Sequence, residues 1–248
     1  MEIWRKMARA AVLAMAIEPF YKRERVTWRG KDVSERKKMP DFVAAAVATY
    51  PWIENATRAM IDGEPAYRYA ELAVKESGEF HTGSRSLNLG LIEAIIPVIG
   101  GVVLYENPFD GARKFLQRNT GETDVLSLNR MLEEAWASSR KPAQRAVAKI
   151  KIRAENAWEY YVALKKVLKE HELHGDVVYV SEILGDWEIA KEFYRALEGG
   201  EEAVYETHSK IMEKYRLHNS PGVPADFLAV ALFVKITEGW VPSFAPYG

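Results

Sequence analysis

No cysteine occurs in the 248 residues of this chain. Disulfides, thiolate metal sites and a cysteine nucleophile are thereby excluded together. Nothing in the composition calls for an oxidising compartment, and the expected location is the cytoplasm. Gln is nearly absent as well, at positions 117 and 144 only, beside abundant Glu, Lys and Arg. That balance is typical of thermophile proteins. An excess of one charge is also lacking: 34 Lys and Arg face 35 Asp and Glu, for a net charge of −1. Such a chain has no global electrostatic attraction to nucleic acid or to a membrane surface. Four familiar signatures are missing: the Gly-x-x-x-x-Gly-Lys phosphate loop, the Rossmann glycine fingerprint, the Gly-x-Ser-x-Gly elbow and the His-Glu-x-x-His helix. The longest apolar run, Leu87 to Tyr105, is interrupted by Asn88, Glu93 and Pro97, and reads as a buried core segment rather than a membrane span.

What is present is a folded composition, 48% apolar and 28% charged. Helical periodicity runs almost throughout. Ile3, Trp4, Met7, Ala8, Ala11, Val12 and Met15 form the apolar stripe of a first, amphipathic helix that ends near Glu18, because Pro19 disfavours helical geometry before it. Residues 20–39 read as a polar connector with eight basic residues against Glu24, Asp32 and Glu35. Pro40 opens a helix towards Tyr50, and Pro51 either kinks it or starts the next. Asp62–Pro65 reads as a turn, Ala66–Ser77 as a helix and Gly78–Ser86 as a loop. Beyond the turn at Asn107–Gly111, the pattern predicts helices over 112–118, from Thr123 or Asp124 to Trp136, and one long helix from Pro142 to His171. Val177–Val180 is the single β-like piece, followed by helices over 181–197 and 201–215 and a final apolar helix. The expectation is one all-α domain over residues 1–248, a multi-helix bundle with Leu87–Val103 among its most buried segments.

Few residues suggest chemistry by spacing alone. His171 and His174 lie at the end of a basic helix, where a structural role is favoured over a ligand pair. The 20–39 connector interleaves Tyr21 and Trp28 with its basic residues, a mixture that suits phosphates and a stacked base, or equally a solvated surface. In the tail, Ser220-Pro221-Gly222-Val223-Pro224-Ala225-Asp226 feeds an apolar helix with one carboxylate at the junction. Asp226 reads there as a helix-start residue favoured by the macrodipole, or as a ligand for a metal or cationic group.

That tail resembles the Pro-Gly-Gly-Ser-Ala-Asp-Leu-Leu-Ala-Ala block of the triphosphoribosyl-dephospho-coenzyme A synthases, an all-helical family. Weaker similarities follow in the family's order. Glu18-Pro19-Phe20-Tyr21-Lys22-Arg23-Glu24-Arg25-Val26 stands where the family has a helix-ending Glu and Pro-Lys-Pro-Gly-x-Val, without the second proline and the glycine. Asp41–Ala48 is similar to the Phe-Leu-Ala-Ser-Ala helix. Ser86-Leu87-Asn88-Leu89-Gly90 stands in place of Asn-Thr-His-x-Gly, retaining the glycine. Ser181–Glu192 is similar to the Asp-x-Ile-Ala-x-Glu helix, with Trp187 at the aspartate position and Asp186 and Glu188 beside it.

The resemblance implies an enzyme that takes ATP and 3′-dephospho-coenzyme A, releases adenine and joins a triphosphoribosyl group to the acceptor's ribose 2′-hydroxyl. It implies Mg²⁺ held by carboxylates, for which Asp226, Asp186 and Glu93 are the candidates. Glu18 and Asp226 are the candidate catalytic carboxylates, with Asp41 behind them. Lys22, Arg23, Arg25 and Arg85 are the candidate phosphate contacts, and Asn88, Gly90 and Gly222 complete the nucleotide-binding set. The expected partner is a nucleotide or coenzyme A-type small molecule, with a homodimer as the expected assembly and neither membrane nor nucleic acid. The alternative is a helical scaffold that binds a ligand or another protein without catalysis.

Overall fold

The computed structural model of the chain describes residues 2–22, 39–79, 88–137, 139 and 141–241. These residues form helices and no strand. The first half holds α1 (Ile3–Ile17), α2 (Met39–Ala48), α3 (Tyr50–Asp62), α4 (Tyr67–Glu79), α5 (Leu89–Tyr105) and α6 (Pro108–Arg118). The second holds α7 (Glu122–Trp136), α8 (Pro142–Val147), α9 (Ala157–Glu170), α10 (His174–Ile183), α11 (Glu188–Ala196), α12 (Gly200–Lys214) and α13 (Gly222–Thr237). A short 3-10 turn, Glu18–Lys22, continues α1 past Pro19.

Two helices are apolar on all sides, and the others gather round them. In α5, Ile92, Ile95, Ile96, Val98 and Ile99 are fully buried, and in α13 so is every residue from Phe227 to Phe233. A helix without a polar face has no surface to offer water, so it must lie inside. The two pack on each other; α1 and α11 cover α13, while α3, α4 and α6 cover α5. Towards the end of α5 the burial relaxes, and Val102 and Val103 are only half-buried. There α6 turns back at 97°. Its backbone rests directly on Gly101, where an added Cβ would lie 2.6 Å from the amide nitrogen of Ala112. No single described helix is long and apolar enough to cross a membrane.

The long helix expected over 142–171 is instead α8, an irregular stretch and α9. The cause is tertiary. The Asn129 side chain on α7 donates to the carbonyl of Ile152 and accepts from its amide, both at 2.9 Å, and so substitutes for helical hydrogen bonds. Asn156 then caps α9 by accepting from the Glu159 amide. Val177–Val180, β-like by composition, is helical within α10. The helix expected over 181–197 is broken where Trp187 adopts a left-handed conformation, φ 58°. Glu182 restarts the chain as α11 by accepting from the Ile189 and Ala190 amides. Pro51 lies in the first turn of α3, just after Tyr50, rather than kinking a longer helix.

Asn129→Ala removes both bonds to Ile152 and strands two buried backbone groups. It is expected to cost about 2–4 kcal/mol in denaturant unfolding. A change at exposed Val47, Val47→Ser, should stay within about 0.5 kcal/mol.

Candidate functional site

Where the first turn of α5 meets the second turn of α13, the chain has no side chain to spare. A Cβ added at Gly90 would lie 2.1 Å from Oδ2 of Asp226, so the Asp226 carboxylate rests against bare α5 backbone. The same turn is held from a third side: the Tyr179 hydroxyl of α10 donates to the Gly90 carbonyl at 2.7 Å. The Tyr179 ring packs on Phe227, at a centroid distance of 5.4 Å. The turn before α13 is seated on the start of α10 in a similar way. A Cβ at Gly175 would meet Ser220 Oγ at 2.1 Å, and His174 Nε2 donates to the Tyr215 carbonyl at 2.8 Å. These contacts bring Asp176, at the start of α10, to the same place as Asp226.

The result is a cavity of about 150 Å³ lined by Glu93, Asp176 and Asp226, with Gly90, Tyr179, Trp136, Leu132, Leu164 and Leu168 among its walls. Among the described residues, no lysine or arginine lines it. Glu93 lies one helical turn beyond Gly90, so both project from one side of α5. Its carboxylate is buried, and Oε1 has no hydrogen-bond partner among the described residues. Burial, with Asp226 and Asp176 nearby, pushes the Glu93 carboxyl up to about 8. Asp176 is also raised by burial, opposed by the charge of Lys141 and by the Gln144 amide, which donates to it at 3.5 Å. Behind Glu93 stand Tyr67, Tyr160 and Tyr161, all fully buried. Burial first, and the Glu93 charge among other causes, raise their hydroxyls well above the usual tyrosine range. A carboxyl that stays protonated beside other acids is the arrangement by which proteins separate an acid from a base at neutral pH.

The residues singled out from sequence divide into those at the cavity and those elsewhere. Gly90, Glu93 and Asp226 are brought together. Asn88 sits at the α5 N-cap, buried, yet its side chain makes no capping bond and its Nδ2 has no partner among the described residues. Asp226 is not a helix-start residue: α13 already begins at Gly222, and its first turn carries no acid. Gly222 is exposed, with open space around it. Glu18 is buried in the turn that follows α1 and does not line the cavity, nor does Asp41 in the first turn of α2. Asp186 lies in the exposed α10–α11 turn, 4.0 Å from the Arg113 guanidinium. The proposed metal set of Asp226, Asp186 and Glu93 is therefore not assembled. Among the described residues no group of three His, Cys, Asp or Glu is disposed to hold a metal ion. Arg23, Arg25 and Arg85 lie outside the described residues, as does the side chain of Lys22. His171 is engaged with the Val167 carbonyl at 3.0 Å, the structural role expected of it. Sequence reasoning missed Asp176, whose only signal was an acid between a glycine and an apolar run, and the aromatic walls Trp136 and Tyr179.

Protein-family models, curated proteins and solved structures were compared with the chain, and none matches it.

The raised Glu93 carboxyl has a consequence for stability. The folded state holds this proton more tightly than the unfolded chain, whose carboxyl titrates near 4.5. Its contribution is therefore complete below that value and is lost as pH rises through about 8. Glu182, raised by burial to about 7, acts with the same sign. Thermal unfolding is expected to show a Tm that falls from about pH 5 to about pH 8, and Glu93→Gln should remove part of that slope. An identical slope in the variant would contradict a buried, proton-holding Glu93.

Proposed function

We propose that this protein is a transferase that moves a pentosyl group from ATP to a nucleotide-type acceptor such as 3′-dephospho-coenzyme A, with the acidic cavity as the place where the anomeric carbon reacts. The observation that carries this reading is the juxtaposition of Gly90 and Glu93 with Asp226, at two blocks of the family resemblance far apart in the chain. The comparisons add no relative, so the choice of donor and acceptor rests on the motifs.

The chemistry of the cavity fits such a transfer. As the bond between C1′ and the adenine nitrogen lengthens, positive charge develops on the sugar ring, and ionised carboxylates at close range lower its energy. The departing base needs a proton. Glu93, held protonated at neutral pH by burial and its acidic neighbours, is suited to give it. The acceptor's 2′-hydroxyl forms the new bond to C1′ and passes its proton to Asp226. Adenine leaves neutral with the Glu93 proton, and a proton returned from Asp226 to Glu93 restores the starting state. A cavity of about 150 Å³ takes a single ring rather than a whole nucleotide. The triphosphate, repelled by the acids, would remain outside, where Lys22, Arg23, Arg25 and Arg85 are the proposed contacts. The Nδ2 of Asn88, without a partner among the described residues, is a donor one residue before Leu89 of the cavity wall. No step is routed through Mg²⁺, because the described acids do not form a ligand set for it.

The test is to incubate the protein with ATP, with and without 3′-dephospho-coenzyme A, and to follow free adenine and the coupled product by mass spectrometry. Acceptor-dependent adenine release is expected, reduced about 100-fold or more in Glu93→Gln and in Asp226→Asn. A folded wild-type chain that binds either nucleotide and releases no adenine would overturn the transferase reading in favour of a binding scaffold.

A further inference from the structure

Beside the acidic cavity runs a basic stretch of chain. From Ser138 to Ala154 the sequence carries Arg140, Lys141, Arg145, Lys149, Lys151 and Arg153 and no Asp or Glu, in a protein whose net charge is −1. The start of this stretch is fastened to the cavity wall. Trp136, a wall residue, ends α7, and after a short link Lys141 is the N-cap of α8. The Gln144 amide of α8 donates to Oδ2 of Asp176, another wall residue, at 3.5 Å. The charge of Lys141 acts on the same carboxylate. The link is also tied to itself. The Ser139 hydroxyl donates to Gln144 Oε1 at 2.6 Å and accepts from the Lys141 amide at 3.2 Å. The Arg145 guanidinium donates to the Ser139 carbonyl at 2.5 Å. The Arg145 amide donates to the Lys141 carbonyl at 3.2 Å, so the two basic residues stand one helical turn apart. Both are exposed, and a guanidinium that uses one N–H on Ser139 keeps its other donors for a ligand.

We infer that the corner formed by Ser139, Lys141 and Arg145, at the rim of the cavity beside Asp176, binds the diphosphate of the nucleotide-type acceptor. Two cations one turn apart, about 5–6 Å between their Cβ atoms, match two adjacent phosphate groups. A guanidinium takes phosphate oxygens in pairs, and an ammonium adds a point charge. The hydrogen bonds to Ser139 hold the Arg145 fork before a ligand arrives, which reduces the ordering that binding must impose. This assignment deepens the transferase reading and rests on it. That reading needs two phosphate-bearing substrates, and the donor's triphosphate is given there to Lys22, Arg23, Arg25 and Arg85. In 3′-dephospho-coenzyme A the diphosphate is joined to C5′ of the same ribose whose 2′-hydroxyl reacts. Holding the diphosphate at the rim therefore directs that hydroxyl towards the acids, while the phosphates themselves stay on the cationic side of Asp176.

Titration calorimetry of the full chain with 3′-dephospho-coenzyme A, and with adenosine as the ligand lacking phosphate, makes the comparison. The wild type is expected to bind 3′-dephospho-coenzyme A at least about tenfold more tightly than adenosine, with an affinity that falls as salt rises. Lys141→Gln and Arg145→Gln should each weaken it about tenfold, and Arg145→Lys should weaken it less. All three should leave adenosine unchanged and retain a cooperative thermal transition. Lys210→Gln, at an exposed cation on α12, should leave both affinities as they are. Unchanged affinity in the folded double variant of Lys141→Gln and Arg145→Gln would overturn the inference, as would equal affinity of the wild type for the two ligands. Weakened ATP with unchanged 3′-dephospho-coenzyme A would also overturn it, by giving the corner to the donor. Failure here and failure of the transferase reading are distinguishable. Binding of 3′-dephospho-coenzyme A that depends on Lys141 and Arg145, without adenine release, keeps the diphosphate site and removes pentosyl transfer. Adenine release with an unaltered KM for the acceptor in the double variant keeps the transfer and removes the site.

Discussion

The absence of one methyl group, at Gly90, governs the site. Any larger residue there would drive its Cβ into the Asp226 carboxylate, at 2.1 Å, and force the start of α5 and the second turn of α13 apart. These are the two helices with no polar face, so their approach also sets how the core closes. Tyr179 bonds the Gly90 carbonyl from α10, and its ring packs on Phe227 of α13, which locks the third helix to the other two. The close contact of Gly175 with Ser220 then fixes where the chain enters α13. Packing and site are thus one arrangement: the contacts that bury the core deliver three acids to one small cavity.

Such an arrangement works against stability. A carboxyl buried beside two others is held protonated, and Oε1 of Glu93 finds no hydrogen-bond partner among the described residues to replace water. Fully buried Tyr67, Tyr160 and Tyr161 add further polar groups to the interior behind it. The apolar mass of α5 and α13 offsets that burden. Contrast Glu182, also buried and raised: it accepts from two amides at the start of α11, and its role there is structural.

The sequence discloses the parts of this molecule that depend on neighbours in the chain. The all-round apolarity of Leu89–Val103 and of the tail, the stop before Pro19, the start at Pro51 and the turn at Gly63 follow from composition and from proline and glycine stereochemistry. The break between α8 and α9 does not, because Asn129, 23 residues before Ile152, supplies it across space. Likewise α10 is helical despite its valines, since tertiary burial overrides β-propensity. At the site, Gly90, Glu93 and Asp226 were accessible through motif resemblance, whereas Asp176 was not. No spacing links it to the others, and only the packing of α10 between α5 and α13 brings it in. Asp226 read as a helix-start carboxylate because the prolines around it suggested a later start. In the fold, Pro221 is the N-cap and Pro224 lies inside the first turn, which places Asp226 one turn further in.

The central claim is that Glu93 is a protonated acid among carboxylates at neutral pH. Carbon-13 NMR of the protein labelled at glutamate side-chain carboxyls addresses it directly, with Glu93→Gln identifying the resonance. The account predicts that this carboxyl remains protonated at pH 7 and titrates near 8. Titration in the ordinary glutamate range, near 4.5, would contradict it and remove the acid on which the proposed chemistry rests.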